Sequence, residues 1–169
     1  MITNIIIPKE LTDPVLKWTN DFGEYDIPQD HEGTILGFRH LDKSEQKIKS
    51  LIKKIDTYIL KQFQLKAPIN KDDGYWIAIS KKGSKVKVHK DPKPKDGSMI
   101  RFNLLLQKPT KGGIPIINDK KIKVKENQVW ICEASKYYHS TTKIQGNKDR
   151  IILSLGHTVK DKDLNKLGL

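Results

Sequence analysis

The sequence predicts a mainly β protein, a jelly roll of two packed sheets with an N-terminal helix lying on one of them. Three observations carry that prediction. Beyond residue 68, short runs rich in β-branched and aromatic residues follow one another, eight of them within about eighty residues. Glycine and asparagine pairs punctuate these runs: Lys82-Gly83, Asp96-Gly97, Gly112-Gly113, Asn118-Asp119 and Gly146-Asn147. Strong helical periodicity is confined to the first 68 residues.

The elements follow in order. Asn4–Ile7 reads as an edge strand, Asp13-Pro14 opens a short helix through Trp18, and Gly33–Phe38 is strand-like. Asp42 with Glu45 forms a capping box ahead of Ile48, Leu51, Ile52, Ile55, Ile59 and Leu60, an apolar helical stripe ending near Phe63. The eight strands are then Tyr75–Ser80, Lys85–Val88, Met99–Gln107, Ile114–Asn118, Lys121–Glu126, Gln128–Glu133, Tyr137–Thr141 and Arg150–Leu155. We expect a single domain over 1–169. Residues 1–68 support the roll, 75–156 form it, and 157–169 make a C-terminal tail.

Composition bounds the function. The chain has 169 residues, and no apolar run approaches a membrane span. The opening Met1–Ile7 lacks a basic start and breaks at Pro8, so no signal peptide is expected. One cysteine, Cys132, excludes an internal disulfide and a cysteine zinc cluster, which points to a reducing, cytoplasmic setting. The net charge of +12 comes from 29 Lys against 3 Arg and is spread along the chain. Nucleic-acid recognition leans harder on Arg, whose planar fork pairs bidentately, so charge supports a nucleic-acid partner only weakly.

In Met99–Gln107 one parity is Ile100, Phe102, Leu104 and Leu106, and the other is Arg101, Asn103, Leu105 and Gln107. In Arg150–Leu155, Arg150 and Ser154 share the polar parity. Alternation by itself favours a sheet solvated on one face over polar faces converging on a pocket. On the Gln128–Glu133 strand, Trp130 and Cys132 share one parity and read as core. His31, His40 and His157 read as structural or exposed, and Lys121, Lys123 and Lys125 as a solvated strand face.

His89-Lys90-Asp91 and the distant His139 can form a facial triad that leaves three positions open on Fe(II). A His-x-Asp tripeptide is weak evidence alone, since chance supplies about 0.4 in a chain with 5 His and 14 Asp. A second copy, His40-Leu41-Asp42, fails on context: Asp42 reads as a helix cap and a long helix follows it. The first copy has the right order around it: a strand, His-x-Asp, a Gly-Gly turn, a distal His, then Arg eleven residues later on the last strand.

Through V-H-K-D-P, R-F-N-L-L-L-Q, G-G-I-P-I, Y-Y-H-S-T-T and G-N-K-D-R-I-I-L-S-L-G, residues 75–156 resemble the Fe(II)/2-oxoglutarate-dependent oxygenases, with a prolyl-hydroxylase-like motif order. The resemblance implies a double-stranded β-helix of eight core strands. It implies that His89, Asp91 and His139 hold the iron, and that Arg150 binds the distal carboxylate of 2-oxoglutarate, with Asn103 a further contact to this cosubstrate. Ile152 stands where many members carry a Ser two residues after the Arg, so the second carboxylate contact falls to Ser154, Tyr75 or Trp76. Strict alternation also puts Lys87 on the face of His89, which requires either a bulge or a lysine at the pocket mouth.

The implied activity is a dioxygenase that uses O2 to hydroxylate an unactivated C–H bond, with succinate and carbon dioxide as coproducts and ascorbate as a reductant. So short a chain has little material for a lid over a small metabolite, which favours a peptide or protein side chain as substrate over a small molecule or nucleobase. Lys81, Lys82, Lys85, Lys90, Lys93 and Lys95 flank the His-x-Asp segment, as a solvated loop or as a guide for an acidic substrate. A cupin-type metal-dependent isomerase or a non-catalytic binding module is the alternative, and neither needs Arg150.

Overall fold

Period-two alternation makes this sheet, and in the computed structural model both of its faces are covered. Residues 1–21, 36–40, 45–71 and 74–169 are described, with the backbone alone for 36–40. The strands are β1 (Ile2–Ile6), β2 (Leu36–His40), β3 (Tyr75–Ser80), β4 (Ser98–Gln107), β5 (Pro115–Ile117), β6 (Lys120–Lys121), β7 (Gln128–Glu133), β8 (His139–Thr141) and β9 (Arg150–Val159). Two helices, α1 (Lys9–Asp21) and α2 (Gln46–Gln62), interrupt the early strands. Six strands form an antiparallel sheet in the order β1-β7-β4-β9-β3-β2, and three form a second one, β6-β5-β8.

On β4 and β9, Ile100, Phe102, Leu104, Ile151, Leu153 and Leu155 point to one side and join Ile48, Ile52, Ile55 and Ile59 of α2 in one apolar cluster. That helix presents the expected stripe and ends where Gln64 turns left-handed at φ 51°, with Leu65 N–H bonding back to the Leu60 carbonyl. The opposite parity, Arg101, Asn103, Arg150 and Ile152, faces the small sheet. The polar faces therefore converge inside the molecule, and the half-solvated sheet that alternation favoured is not what forms.

Several boundaries differ from expectation. Pro14 falls inside α1 instead of opening it: Thr12, Val15, Trp18 and Thr19 are buried at helical spacing, and this packing offsets the missing N–H. Glu45, extended and without a side-chain cap bond, is the N-cap of α2, and Asp42 lies outside the described residues, as do His31, Leu41 and Gly33–Ile35. Lys85–Val88 is not a strand; only its ends bond to β8, through Val86 with Thr141 and through a His89–His139 bridge. The Lys121–Glu126 strand shrinks to Lys120–Lys121, closed by a two-residue Asn118-Asp119 turn with φ 47° and 62°. Beyond it Ile122 and Val124 stay buried and Lys121, Lys123 and Lys125 exposed, so the alternation is real without a longer ladder. β9 runs on to Val159, and a 3-10 helix at Asp161–Leu167 brings Leu167 into the core. No described helix is long and apolar enough to cross a membrane.

A polar tie fixes α2 to the sheet from the helix side. His157, fully buried, donates through Nδ1 to the carbonyls of Ala67 and Pro68 at 3.1 and 3.2 Å, and its Nε2 meets Asp56 Oδ1 at 2.8 Å. Tyr75 hydrogen-bonds to the same carboxylate. Asp56→Ala removes the acceptor that the buried His157 and the half-buried Tyr75 share, so it should cost about 3–5 kcal/mol, read from the midpoint and slope of urea unfolding. A loss under about 1 kcal/mol would mean that the apolar stripe alone holds the helix.

Candidate metal centre

His89 and His139 come together because their backbones pair. His89 N–H donates to the His139 carbonyl at 3.1 Å, and His139 N–H returns the bond at 2.9 Å. Each ring Nδ1 faces the carbonyl two residues earlier, Lys87 at 2.9 Å for His89 and Tyr137 at 3.2 Å for His139. A carbonyl only accepts, so each Nδ1 is the donor in its bond, and each ring turns its Nε2 inward toward Asp91. Asp91, two residues after His89, lies on the same side and is tethered by its N–H to the Ala134 carbonyl at 2.9 Å.

Asp91 Oδ1 sits 3.5 Å from His89 Nε2 and 3.4 Å from His139 Nε2, and one donor atom from each of the three residues lies within 4.8 Å of the others. Cis donors around an ion bound at about 2.1 Å stand about 3 Å apart, so the spacing and the two-nitrogen, one-carboxylate set suit a divalent transition metal. Arg101, from the centre of β4, donates its Nε to Asp91 Oδ2 at 2.6 Å. Burial works to raise the Asp91 carboxyl, but the hydrogen bonds from His139 and His89 and the Arg101 charge outweigh it and hold it well below the usual range. The bond to Asp91 in turn raises His89.

These groups open on a cavity of about 80 Å³ between the two sheets. Asn103 and Arg150 line it from β4 and β9. Arg150 is fully buried, which pushes it down to about 10, and its guanidinium stands 5.7 Å over the Trp130 ring. Its Nε has no hydrogen-bond partner, and no carboxylate pairs with it among the described residues. A buried cation without a counterion is expensive, and this one faces a cavity in which an anion can meet it.

Sequence reasoning missed part of this site. Trp130 and Cys132 are buried in apolar core clusters, as their strand parity predicts, and their inner faces also form the cavity wall. Burial raises the Cys132 thiol to about 12, so it is a neutral apolar neighbour. Tyr75 points to the helix side, onto Asp56, and is no part of the cavity, whereas Trp76 lines it. Ser154 lies in register between Trp76 and Asn103, with a buried hydroxyl that has no hydrogen-bond partner among the described residues. Lys87 does not line the cavity; Val86 and His89 do, three residues apart, so an irregularity breaks the alternation there. His40 of the decoy pairs with Trp76 by backbone register on the edge strand β2.

Gly113 controls the Arg150 stem. It has φ +63°, and a Cβ there would lie 2.9 Å from both Arg150 Cδ and Pro109 Cγ. Gly113→Ala should destabilise by about 1–2 kcal/mol from the left-handed backbone alone, with more from the contact with Arg150. In an Arg150→Ala background the Arg150 part should disappear, and equal losses in both backgrounds, read by urea unfolding, would show that contact with the Arg150 stem contributes nothing.

No family model matches the chain, and no curated protein sequence matches it. Solved structures do. The viral collagen prolyl hydroxylase of Paramecium bursaria Chlorella virus-1, in its 2-oxoglutarate complex, matches with a TM-score of 0.61 at 15% identity, over 90% of this chain and 92% of that one. A Trichoplax adhaerens prolyl hydroxylase in complex with a hypoxia inducible factor peptide fragment gives 0.69 at 14%, over 96% and 84%. HygX from Streptomyces hygroscopicus, with nickel, 2-oxoglutarate and hygromycin B bound, gives 0.67 at 9%, over 94% and 82%. Across most of its length the chain thus has the fold of the 2-oxoglutarate-dependent prolyl hydroxylases and of HygX, with a His-x-Asp and distal-His cluster in its central cleft.

Proposed function

We propose that this chain is an Fe(II)- and 2-oxoglutarate-dependent dioxygenase that hydroxylates an unactivated C–H bond of a peptide or protein side chain. The observation that carries the proposal is Arg150, a buried guanidinium that no carboxylate pairs with among the described residues, opening on the same cavity as the His89, Asp91 and His139 cluster. A metal site alone fits many jelly rolls; a metal site sharing a cleft with an unmatched buried cation calls for a ligand with an anionic end. The peptide reading draws on the fold likeness to a prolyl hydroxylase bound to a peptide fragment. The finer architecture is part of the same proposal: with Val86–His89 counted beside β8, the small sheet has four strands facing β7, β4, β9 and β3, an eight-strand double-stranded β-helix. The lone, buried Cys132 supports the cytoplasm as the compartment.

In this reading His89, Asp91 and His139 hold the iron, which supplies dioxygen activation coupled to oxidative decarboxylation of the cosubstrate. The balance is one 2-oxoglutarate, one O2 and one C–H in; succinate, carbon dioxide and C–OH out. Arg150 grips the distal carboxylate and fixes its orientation, and Trp130 supports the guanidinium from below. Asn103 and Ser154 offer neutral hydrogen bonds on the same face, and Trp76, Trp130 and Ile152 keep water from the wall.

The test is anaerobic visible absorption of metal-stripped protein titrated with Fe(II) and then 2-oxoglutarate. A charge-transfer band should form in the parent chain and be lost in His139→Ala. In Arg150→Ala it should require at least about thirtyfold more cosubstrate, because truncating one partner of a buried charge pair costs about 2–5 kcal/mol. No band at saturating cosubstrate, in folded protein, would overturn the proposal.

A further inference from the structure

We propose that Arg101 is a positioning residue of the metal centre, one that restricts Asp91 to a single ligand oxygen. The inference rests on the metal reading above and goes beyond it, because a metal triad by itself does not demand an arginine. Asp91 has two oxygens with different surroundings. Oδ1 faces both imidazoles, at 3.5 and 3.4 Å, while Oδ2 is taken by Arg101 Nε at 2.6 Å. Both side chains of this ion pair are almost fully buried, at 5% and 8% exposure, so water neither screens the pair nor competes for Oδ2.

The arginine is the rigid partner. It projects from β4, which is laddered on both sides by β7 and β9, and its cross-strand neighbours are Cys132 and Gly156. Gly156 has no side chain, which leaves room for the guanidinium on that side. The Trp76 ring lies 4.9 Å from Arg101 Cζ, and the Gly74 carbonyl accepts from a terminal nitrogen at 3.5 Å. Asp91, by contrast, belongs to no strand and has its backbone tied through a single N–H to Ala134. The strand thus orients the carboxylate through the arginine.

The consequence concerns the number of open positions. A carboxylate bound through one oxygen leaves three sites of an octahedral ion free beside two imidazoles; one bound through both leaves two. A chelating cosubstrate and dioxygen together need three. Arg101, by occupying Oδ2, keeps the third.

The experiment is Co(II) binding to the metal-free full chain, followed by visible absorption and titration calorimetry, for the parent, R101Q, R101K, D91A and D91A/R101Q. Unfolding temperatures of the metal-free variants are measured alongside. R101Q should bind Co(II) 10–100-fold more weakly, the usual effect of removing a group that orients a ligand, with an altered visible spectrum. R101K, which keeps the charge but not the planar fork, should recover part of the affinity; it also carries the test if R101Q fails to fold. In the D91A background R101Q should change nothing further. An unchanged affinity in R101Q overturns the inference, and so does tighter binding with an unchanged spectrum, which is what loss of a neighbouring cation acting by charge alone would give. An equal loss in the D91A background overturns it too, by assigning Arg101 to the fold. If the parent chain binds no Co(II), the metal reading itself falls, and this inference with it.

Discussion

The whole arrangement depends on a two-residue period held across a sheet with both faces covered. On β4, Ile100, Phe102 and Leu104 go to the helices while Arg101 and Asn103 go to the cleft; on β9, Ile151 and Leu153 go one way and Arg150 and Ile152 the other. A slip of one residue would send Arg101 and Arg150 into the apolar cluster and Ile100 and Ile151 into the cavity, so core packing and site geometry share one register. The bulge between Leu105 and Gln107 falls beyond the cavity-lining stretch of β4 and leaves that register intact where it is needed. The two helices stabilise the site indirectly, by making any other register costly.

How much of this could be read in advance differs by kind of interaction. The cluster of His89, Asp91 and His139 was legible because spacing and strand order are properties of the chain. The stripe of Ile48, Ile52, Ile55 and Ile59 was legible because helical periodicity reports burial on one side. The extent of the strands was less so. Lys85–Val88 and Lys121–Glu126 alternate as strands do, yet a ladder needs a partner at each position, and alternation reports burial and not pairing. Trp130 and Cys132 show the same limit from the other side: a cavity wall and a packed core demand the same apolar parity, and only the facing sheet distinguishes them. The Arg101–Asp91 pair was out of reach because its two members stand ten residues apart on a strand and in a loop, with no period connecting them.

The two buried arginines of the cleft are in opposite electrostatic states, and the contrast organises it. Arg101 meets a carboxylate on the spot, and the pair carries no net charge. Arg150 meets an aromatic face, which attracts a cation without neutralising it, and burial lowers its pKa to about 10 without removing its proton near neutrality. Its desolvation is left to be offset by whatever enters the cavity. Arginine suits this better than any of the 29 lysines, because a more weakly hydrated, always protonated fork loses less on burial and fixes the plane of the anion it meets.

The positions of these two charges along β9 limit the shape of the ligand. Arg101 lies opposite Gly156, and Arg150 lies six residues earlier on that strand, a backbone distance of roughly 20 Å at about 3.3 Å per residue. Both side chains are long and enter the same cavity, so the span left between the metal donors and the Arg150 fork is far shorter than the separation of the backbones. At the metal end His89 is partly open to solvent, with 40% of its side chain exposed, while the Arg150 end is closed. A ligand must therefore pass the donor atoms first and reach inward with an anionic tip. A single small anion would satisfy Arg150 and leave the metal end to water, and a bulky one would exceed a cavity of about 80 Å³. A short, two-ended acid, chelating at one end and carrying a carboxylate at the other, would meet both requirements, as the proposed 2-oxoglutarate reading demands.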